Sequence, residues 1–124
     1  MTDRLKVRFA YQRGWQVVDE NAVLQTFETK EAAFQFLVDR GARVWLDWSR
    51  TVIGGRTARY DFAASFQTES VGRIMKTTDG PSAGTWFWSC YSGGARGTVD
   101  TKDEAVFGLE RAYTRIVVKA DYPK

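Results

Sequence analysis

Apolar and polar residues alternate from the start of the chain. Leu5, Val7, Phe9 and Tyr11 are interleaved with Arg4, Lys6, Arg8 and Ala10. A period of two predicts a strand with one face buried. Arg13-Gly14 then reads as a turn, and residues 15–18 as a second strand. Asp19-Glu20-Asn21 is a polar reversal, in which Asn21 is the residue suited to positive φ. Residues 23–27 form a third strand. The period then changes to that of a helix over 29–40. Thr29 is placed to cap it and Glu31 lies in the first turn, where the helix dipole favours an acid. Ala33, Phe36, Leu37 and Arg40 mark its buried side. Gly41 ends or bends it, with Val44, Trp45 and Trp48 spaced to carry it further.

Residues 49–56 read as a loop around Gly54-Gly55. Residues 57–66 return to alternation, with Tyr60, Phe62, Ala64 and Phe66 on one face. A strand at 71–77 follows, then turn chemistry from Asp79 to Gly84. Residues 85–91 are the most aromatic strand in the chain. Gly93-Gly94 reverses it into a short strand at 96–99. Thr101 and Glu104 have the spacing of a capping box. Ala105, Leu109, Ala112, Tyr113, Ile116 and Val117 then make a helical stripe over 101–117. The order is βββα, a connector, then ββββα. This predicts an α+β fold in one domain, 1–124, with a mainly antiparallel sheet and both helices on one face.

The two halves share a pattern. Trp15 and Trp88 each stand seventeen residues before an alanine, Ala32 and Ala105, in a helix-start signal. Phe34 corresponds to Phe107 and Phe36 to Leu109. The spacing predicts a duplicated unit of strands and helix, at about 4–48 and 57–118.

Composition narrows the chemistry. Histidine is absent, which removes the usual general base near neutral pH and the commonest metal ligand. The single cysteine, Cys90, forms no internal disulfide and no structural zinc site, and a reducing, cytoplasmic setting is expected. There is no phosphate-cradling motif, no apolar leader and no run long enough to span a bilayer. No catalytic, cofactor or metal residue is assigned. Net charge is +3 and the basic residues are spread over both halves, so any polyanion site must arise from local clustering.

Four clusters are candidates. Arg4, Lys6 and Arg8 point one way along a strand, either to follow a phosphate backbone or to form a solvated, aggregation-resistant face. Trp86 and Trp88, with Cys90, share one face of the aromatic strand, as core or as a sticky surface. Trp45, Trp48 and Arg50, with Arg43 nearby, have the composition of a binding interface or of a core rim. Arg59 and Arg73 are candidate anion clamps at the mouth of a pocket lined by Trp86, Trp88, Tyr60 and Phe62.

The segments Val71-Gly72-Arg73-Ile74, Gly84-Thr85-Trp86-Phe87-Trp88-Ser89 and Gly97-Thr98-Val99-Asp100-Thr101, followed by Glu104-Ala105, resemble short uncharacterised bacterial proteins. That likeness brings no activity with it. Gly14-Trp15, Val17, Thr26-Phe27 and Thr29-Lys30-Glu31-Ala32 resemble the sheet-plus-helix DNA-binding modules of phage-type integrases. That resemblance implies strands entering the major groove with the helix behind them. The residues themselves favour a non-enzymatic binding protein with a protein partner or a second copy of itself; a phage or mobile-element inhibitor or adaptor is compatible with this by analogy. Nucleic-acid binding through Arg4, Lys6 and Arg8 is the alternative, and an anionic small ligand the third reading.

Overall fold

The computed structural model describes residues 3–120. The fold is α+β, with two helices packed against sheet, and the strands divide into two sheets rather than one. By its contacts the chain forms two compact units: residues up to Trp45 together with those from Tyr113 on, and Leu46–Ala112.

In the first unit the strands are β1 (Arg4–Ala10), β2 (Gly14–Asp19), β3 (Ala22–Phe27) and β4 (Arg43–Val44), with helix α1 (Lys30–Asp39) between β3 and β4. The sheet order is β3-β2-β1-β4. The first three strands form an antiparallel meander, and β4 pairs with β1 in parallel. Leu5, Val7, Val17 and Val44 are buried on the inner face, where α1 contributes Ala33, Phe34 and Leu37. Phe34, not Phe36, is the fully buried aromatic, and Arg40 is exposed. Phe36 instead meets the Phe27 ring at a tilt, with centroids 5.5 Å apart. Thr29 caps α1 by accepting from the Ala32 N–H. Gly41, at φ 70°, ends it, so Val44 and Trp45 do not extend the helix. The positive φ expected at Asn21 lies at Glu20, where φ is 55°.

In the second unit β5 (Asp47–Ile53), β6 (Arg56–Phe66), β7 (Glu69–Lys76), β8 (Trp86–Cys90) and β9 (Arg96–Val99) form an antiparallel meander in sequence order. The expected loop at 49–56 is a hairpin. Gly54 and Gly55 both have positive φ, 58° and 79°, and close a two-residue turn between Ile53 and Arg56.

Helix α2 (Lys102–Ala120) supplies residues to both units. Thr101 begins it by accepting from the Glu104 N–H, while its hydroxyl donates to the Glu104 carboxylate. In the second unit Leu109 and Ala105 are fully buried. Three glycines set the distance from helix to sheet. A Cβ at Gly72 would stand 2.3 Å from the Ser89 carbonyl oxygen and 2.7 Å from Leu109. A Cβ at Gly97 or at Gly108 would stand 2.7 Å from Nε1 of Trp88. The Trp88 indole therefore lies in a slot with a glycine on β9 and another on α2. The aromatic strand 85–91 is core on this face, with Trp86 and Cys90 buried. In the first unit Tyr113 meets the Phe34 ring edge-on at 5.8 Å, and Thr114 Oγ1 accepts from the Val44 N–H at 2.9 Å.

The duplication expected from the sequence is not shown, although each half has a hairpin and a threonine-capped helix. Their sheets differ, one having four strands with a parallel pair and the other five strands all antiparallel.

Glu110 is wholly buried, a position the apolar stripe did not reveal. Its carboxylate accepts from the Leu46 N–H and from Trp48 Nε1, both at 3.0 Å. Replacing Glu110 with Ala leaves two buried donors without this acceptor and should cost about 3 kcal/mol. Glu110→Gln, which keeps one acceptor oxygen, should cost less. Urea denaturation measures both.

Glycine to alanine in a helix ordinarily stabilises by about 1 kcal/mol. At Gly108 the added methyl meets an indole already confined by Gly97, and overpacking costs about 1–3 kcal/mol. Gly108→Ala should therefore lower the denaturation midpoint. A raised midpoint would show that Trp88 yields without cost.

Candidate functional site

The face of the first sheet opposite Leu5 and Val7 brings together two groups of sequence candidates. Alternation along β1 turns Leu5 and Val7 inward and leaves Arg4, Lys6 and Arg8 on the opposite face. The parallel pairing continues past β4, since the Trp45 N–H donates to the Leu5 carbonyl at 2.8 Å. Val44 is buried inward, so Trp45 emerges on the same face as the basic row, 43% exposed. The Arg4 guanidinium stands 4.3 Å from the centre of the indole and the Lys6 ammonium 5.0 Å. Each cation–π contact contributes about 0.5–1 kcal/mol at such an exposed position. Together they favour this orientation of the ring. Arg8 stands apart, donating through Nε to Gln16 Oε1 at 2.9 Å.

Beside Trp45 is a concavity of about 400 Å³, lined by Arg4, Lys6, Val18 and the β2–β3 turn residues Asp19, Glu20 and Asn21. Its lining includes two cations and two acids, so it does not select strongly for one sign of charge. The indole and Val18 provide apolar surface.

The remaining candidates belong to the second unit, and they do not converge on one pocket. Trp48 donates to Glu110, and Trp86 and Trp88 are occupied in packing. Arg50 lies 5.6 Å over the Phe62 ring, whose centre is also 3.9 Å from the Lys102 ammonium. Phe62 and Trp86 approach within 6.4 Å. Strand alternation puts Arg59 and Arg73 on the face opposite Tyr60, Phe62, Trp86 and Trp88, as the pairings Ile74–Trp88 and Arg73–Ser89 show. The aromatic pocket with an arginine at its mouth is therefore not assembled.

Arg73 is instead held by Asp61, a residue the sequence reading passed over. Its Nε donates to both carboxylate oxygens, at 2.8 and 3.0 Å, and its terminal nitrogen also donates to Oδ2. Thr51 donates to the same carboxylate at 2.8 Å. The hydrogen bonds from Arg73 hold Asp61 below the usual carboxylate range, against desolvation that pushes it up. The same pairing raises Arg73. This satisfied ion pair is an anchor within the sheet. Burial pushes the Cys90 thiol up, away from the reactive thiolate.

No cluster of three or more potential metal-ligating side chains occurs among the described residues. No helix among them is long and apolar enough to cross a membrane. Comparison with family models, curated proteins and solved structures finds no match to the chain.

Because the folded value of Asp61 is depressed, its contribution to stability is complete above the ordinary carboxylate range and is lost as pH falls through that folded value. Asp61→Asn should cost about 1–2 kcal/mol near neutral pH, a figure kept small because Arg73 is more than a third exposed. The gap between the two proteins should narrow as pH drops from about 6 to about 2. Denaturation midpoints across that range measure it, and a constant gap would refute the pairing as the cause.

Proposed function

We propose that this chain is a non-enzymatic binding protein whose recognition site is the Trp45 face of the first sheet, and that its partner is another protein. The observation that carries the reading is the exposed indole held between Arg4 and Lys6 beside a concavity. Tryptophan and arginine dominate the energetics of protein interfaces, above all where a ring is fixed before binding. The ring here is biased towards one orientation by contacts within its own unit, which reduces the side-chain freedom lost on docking.

The charge pattern separates this reading from its rivals. A nucleic-acid backbone would meet Asp19 and Glu20 at the same place as Arg4 and Lys6. Within the integrase-like stretch, the strand residues Trp15 to Phe27 contain no lysine or arginine. A protein surface of mixed charge tolerates both. The volume of the concavity supports a second reading, a small ligand with a flat apolar ring and an anionic group, because ligand sites begin at about 300 Å³. A cytoplasmic setting suits the lone, buried thiol, and an inhibitor or adaptor role suits a small chain of this kind.

A photo-crosslinking amino acid at Asn21, on the rim of the concavity, tests the class of partner in cells making the protein. The expected adduct is a polypeptide, reduced about tenfold or more in a folded Trp45→Ala background. Nuclease-sensitive adducts, or adducts indifferent to Trp45, would overturn the proposal. Fluorescence of the wild type quenched by metabolite-sized extract, but not that of Trp45→Phe, would move the assignment to the small ligand.

A further inference from the structure

We propose that the second unit binds a single strand of nucleic acid, along a row of cations and aromatic rings on β6 that starts beside the first turn of α2. The proposal goes beyond the protein-recognition reading. Its residues all lie within Leu46–Ala112, and none of them belongs to the Trp45 face.

Three cations of this unit have rings, not carboxylates, as their neighbours. The Lys102 ammonium stands 3.9 Å from the centre of the Phe62 ring, and the Arg50 guanidinium 5.6 Å from the same centre. The Lys76 ammonium stands 4.9 Å from the centre of the Tyr60 ring. Among the described residues, none of the three has a carboxylate within ion-pair distance. Arg50 and Lys102, sharing one ring, are less than about 10 Å apart, close to a Debye length at 0.1 M salt. An anion placed between them relieves their repulsion. Strand register puts the groups together: Arg50 pairs with Phe62, and Phe62 with Ile74. Tyr60 stands two residues before Phe62 on β6, so the rings are about 7 Å apart along the strand. Tyr60 is 41% exposed, and Phe62 is half-buried against Trp86.

Ring and cation thus recur together along β6. A single strand of nucleic acid recurs in the same way, one flat base and one phosphate per nucleotide. Sites for single strands combine cations that track the backbone with rings on which bases stack. In a duplex the base faces are closed by their neighbours, and an acidic peptide supplies the charge without a regular series of rings. The acids of neighbouring elements set where the strand runs. Asp79 lies in the turn beyond Lys76, and Asp100, Asp103 and Glu104 surround the start of α2. Glu104 is turned to its cap, accepting from the Thr101 hydroxyl at 2.9 Å. Asp100 follows β9, which is three strands from β6 in the sheet, about 14 Å away. Along the β5–β6 hairpin the balance differs, because residues 48–60 hold Arg50, Arg56 and Arg59 and no acid. Asp47 and Asp61 bound that stretch, but alternation turns both to the face opposite Arg50 and Phe62, where Arg73 holds Asp61. The strand therefore enters at Lys102 and Phe62 and follows β6 past Tyr60 towards Arg56. At the Trp45 concavity, by contrast, acids and cations line one hollow.

The test is fluorescence anisotropy of the full chain with three labelled probes. They are an oligothymidine of about twelve nucleotides, the same strand annealed to its complement, and a polyglutamate of equal length. The single strand should bind about tenfold or more tighter than either of the others at ~0.05 M salt. With three phosphates neutralised, log affinity should fall against log salt with a slope of about −2. Lys76→Gln combined with Lys102→Gln should weaken binding about tenfold or more. Tyr60→Ala should weaken it about fivefold or more, whereas Tyr60→Phe, which keeps the ring, should leave it unchanged. Urea midpoints show whether each variant is folded, and Arg50→Gln reads the same site should the lysine pair not be. Trp45→Ala should leave binding unchanged, so failure of the Trp45 reading and failure of this one are separable. No binding, equal or tighter binding of the duplex or of polyglutamate, or an affinity indifferent to the cations and to the Tyr60 ring would each overturn the proposal.

Discussion

The second unit depends on how closely one helix approaches one sheet. Gly72 on β7, Gly97 on β9 and Gly108 on α2 remove the side chains that would otherwise hold α2 away, and the space is filled by Leu109 and Trp88. At this separation Glu110 reaches the Leu46 amide and the Trp48 indole directly. A buried carboxylate is tolerated where donors are fixed around it. The glycines and the buried acid are thus parts of one packing solution. It consumes the aromatic strand that would otherwise be the most conspicuous surface of the chain.

The first unit follows the opposite logic. Its inner face is packed against α1 and against Tyr113 and Thr114 of α2, while the opposite face carries Arg4, Lys6 and the exposed Trp45. The exposed indole there is not a packing residue left over. It is placed by a backbone pairing to Leu5 and steadied by two cations on a neighbouring strand. Support around an exposed aromatic suits a recognition surface, because part of the entropy of ordering it is spent in folding.

Much of the fold was legible because period and capping are local. The alternation from Arg4 to Ala10, the Thr29 and Thr101 caps and the stripe through Leu109 and Tyr113 each express a nearest-neighbour constraint. What escaped was non-local. The two-residue β4 has no periodicity to show, and its parallel partner lies about forty residues earlier. In β5 the alternation passes through Trp48, Arg50 and Val52, of which only Trp48 is sheltered, so its apolar signal is faint. Glu110 and Thr114 are spaced like a solvated helix face, and their burial is set by donors on strands far away in sequence. The site was half legible. The basic row and Trp45 each stood out, but their convergence depends on the β1–β4 pairing. Asp61 gave no signal, since only the β6–β7 register puts it beside Arg73.

The order in which the units are written into the chain bears on how it is made. The second unit is continuous in sequence, whereas the first is split around it and is completed by residues beginning at Tyr113. On the ribosome, every residue of the second unit has been synthesised before Tyr113 or Thr114 exists. Until they do, Phe34 lacks the ring that meets its edge, and the Val44 amide lacks the hydroxyl that accepts from it. The half of the chain made first is therefore finished last. The nascent protein holds an incomplete recognition unit, with an apolar inner face still open, while its later-made neighbour has its full sequence available to fold.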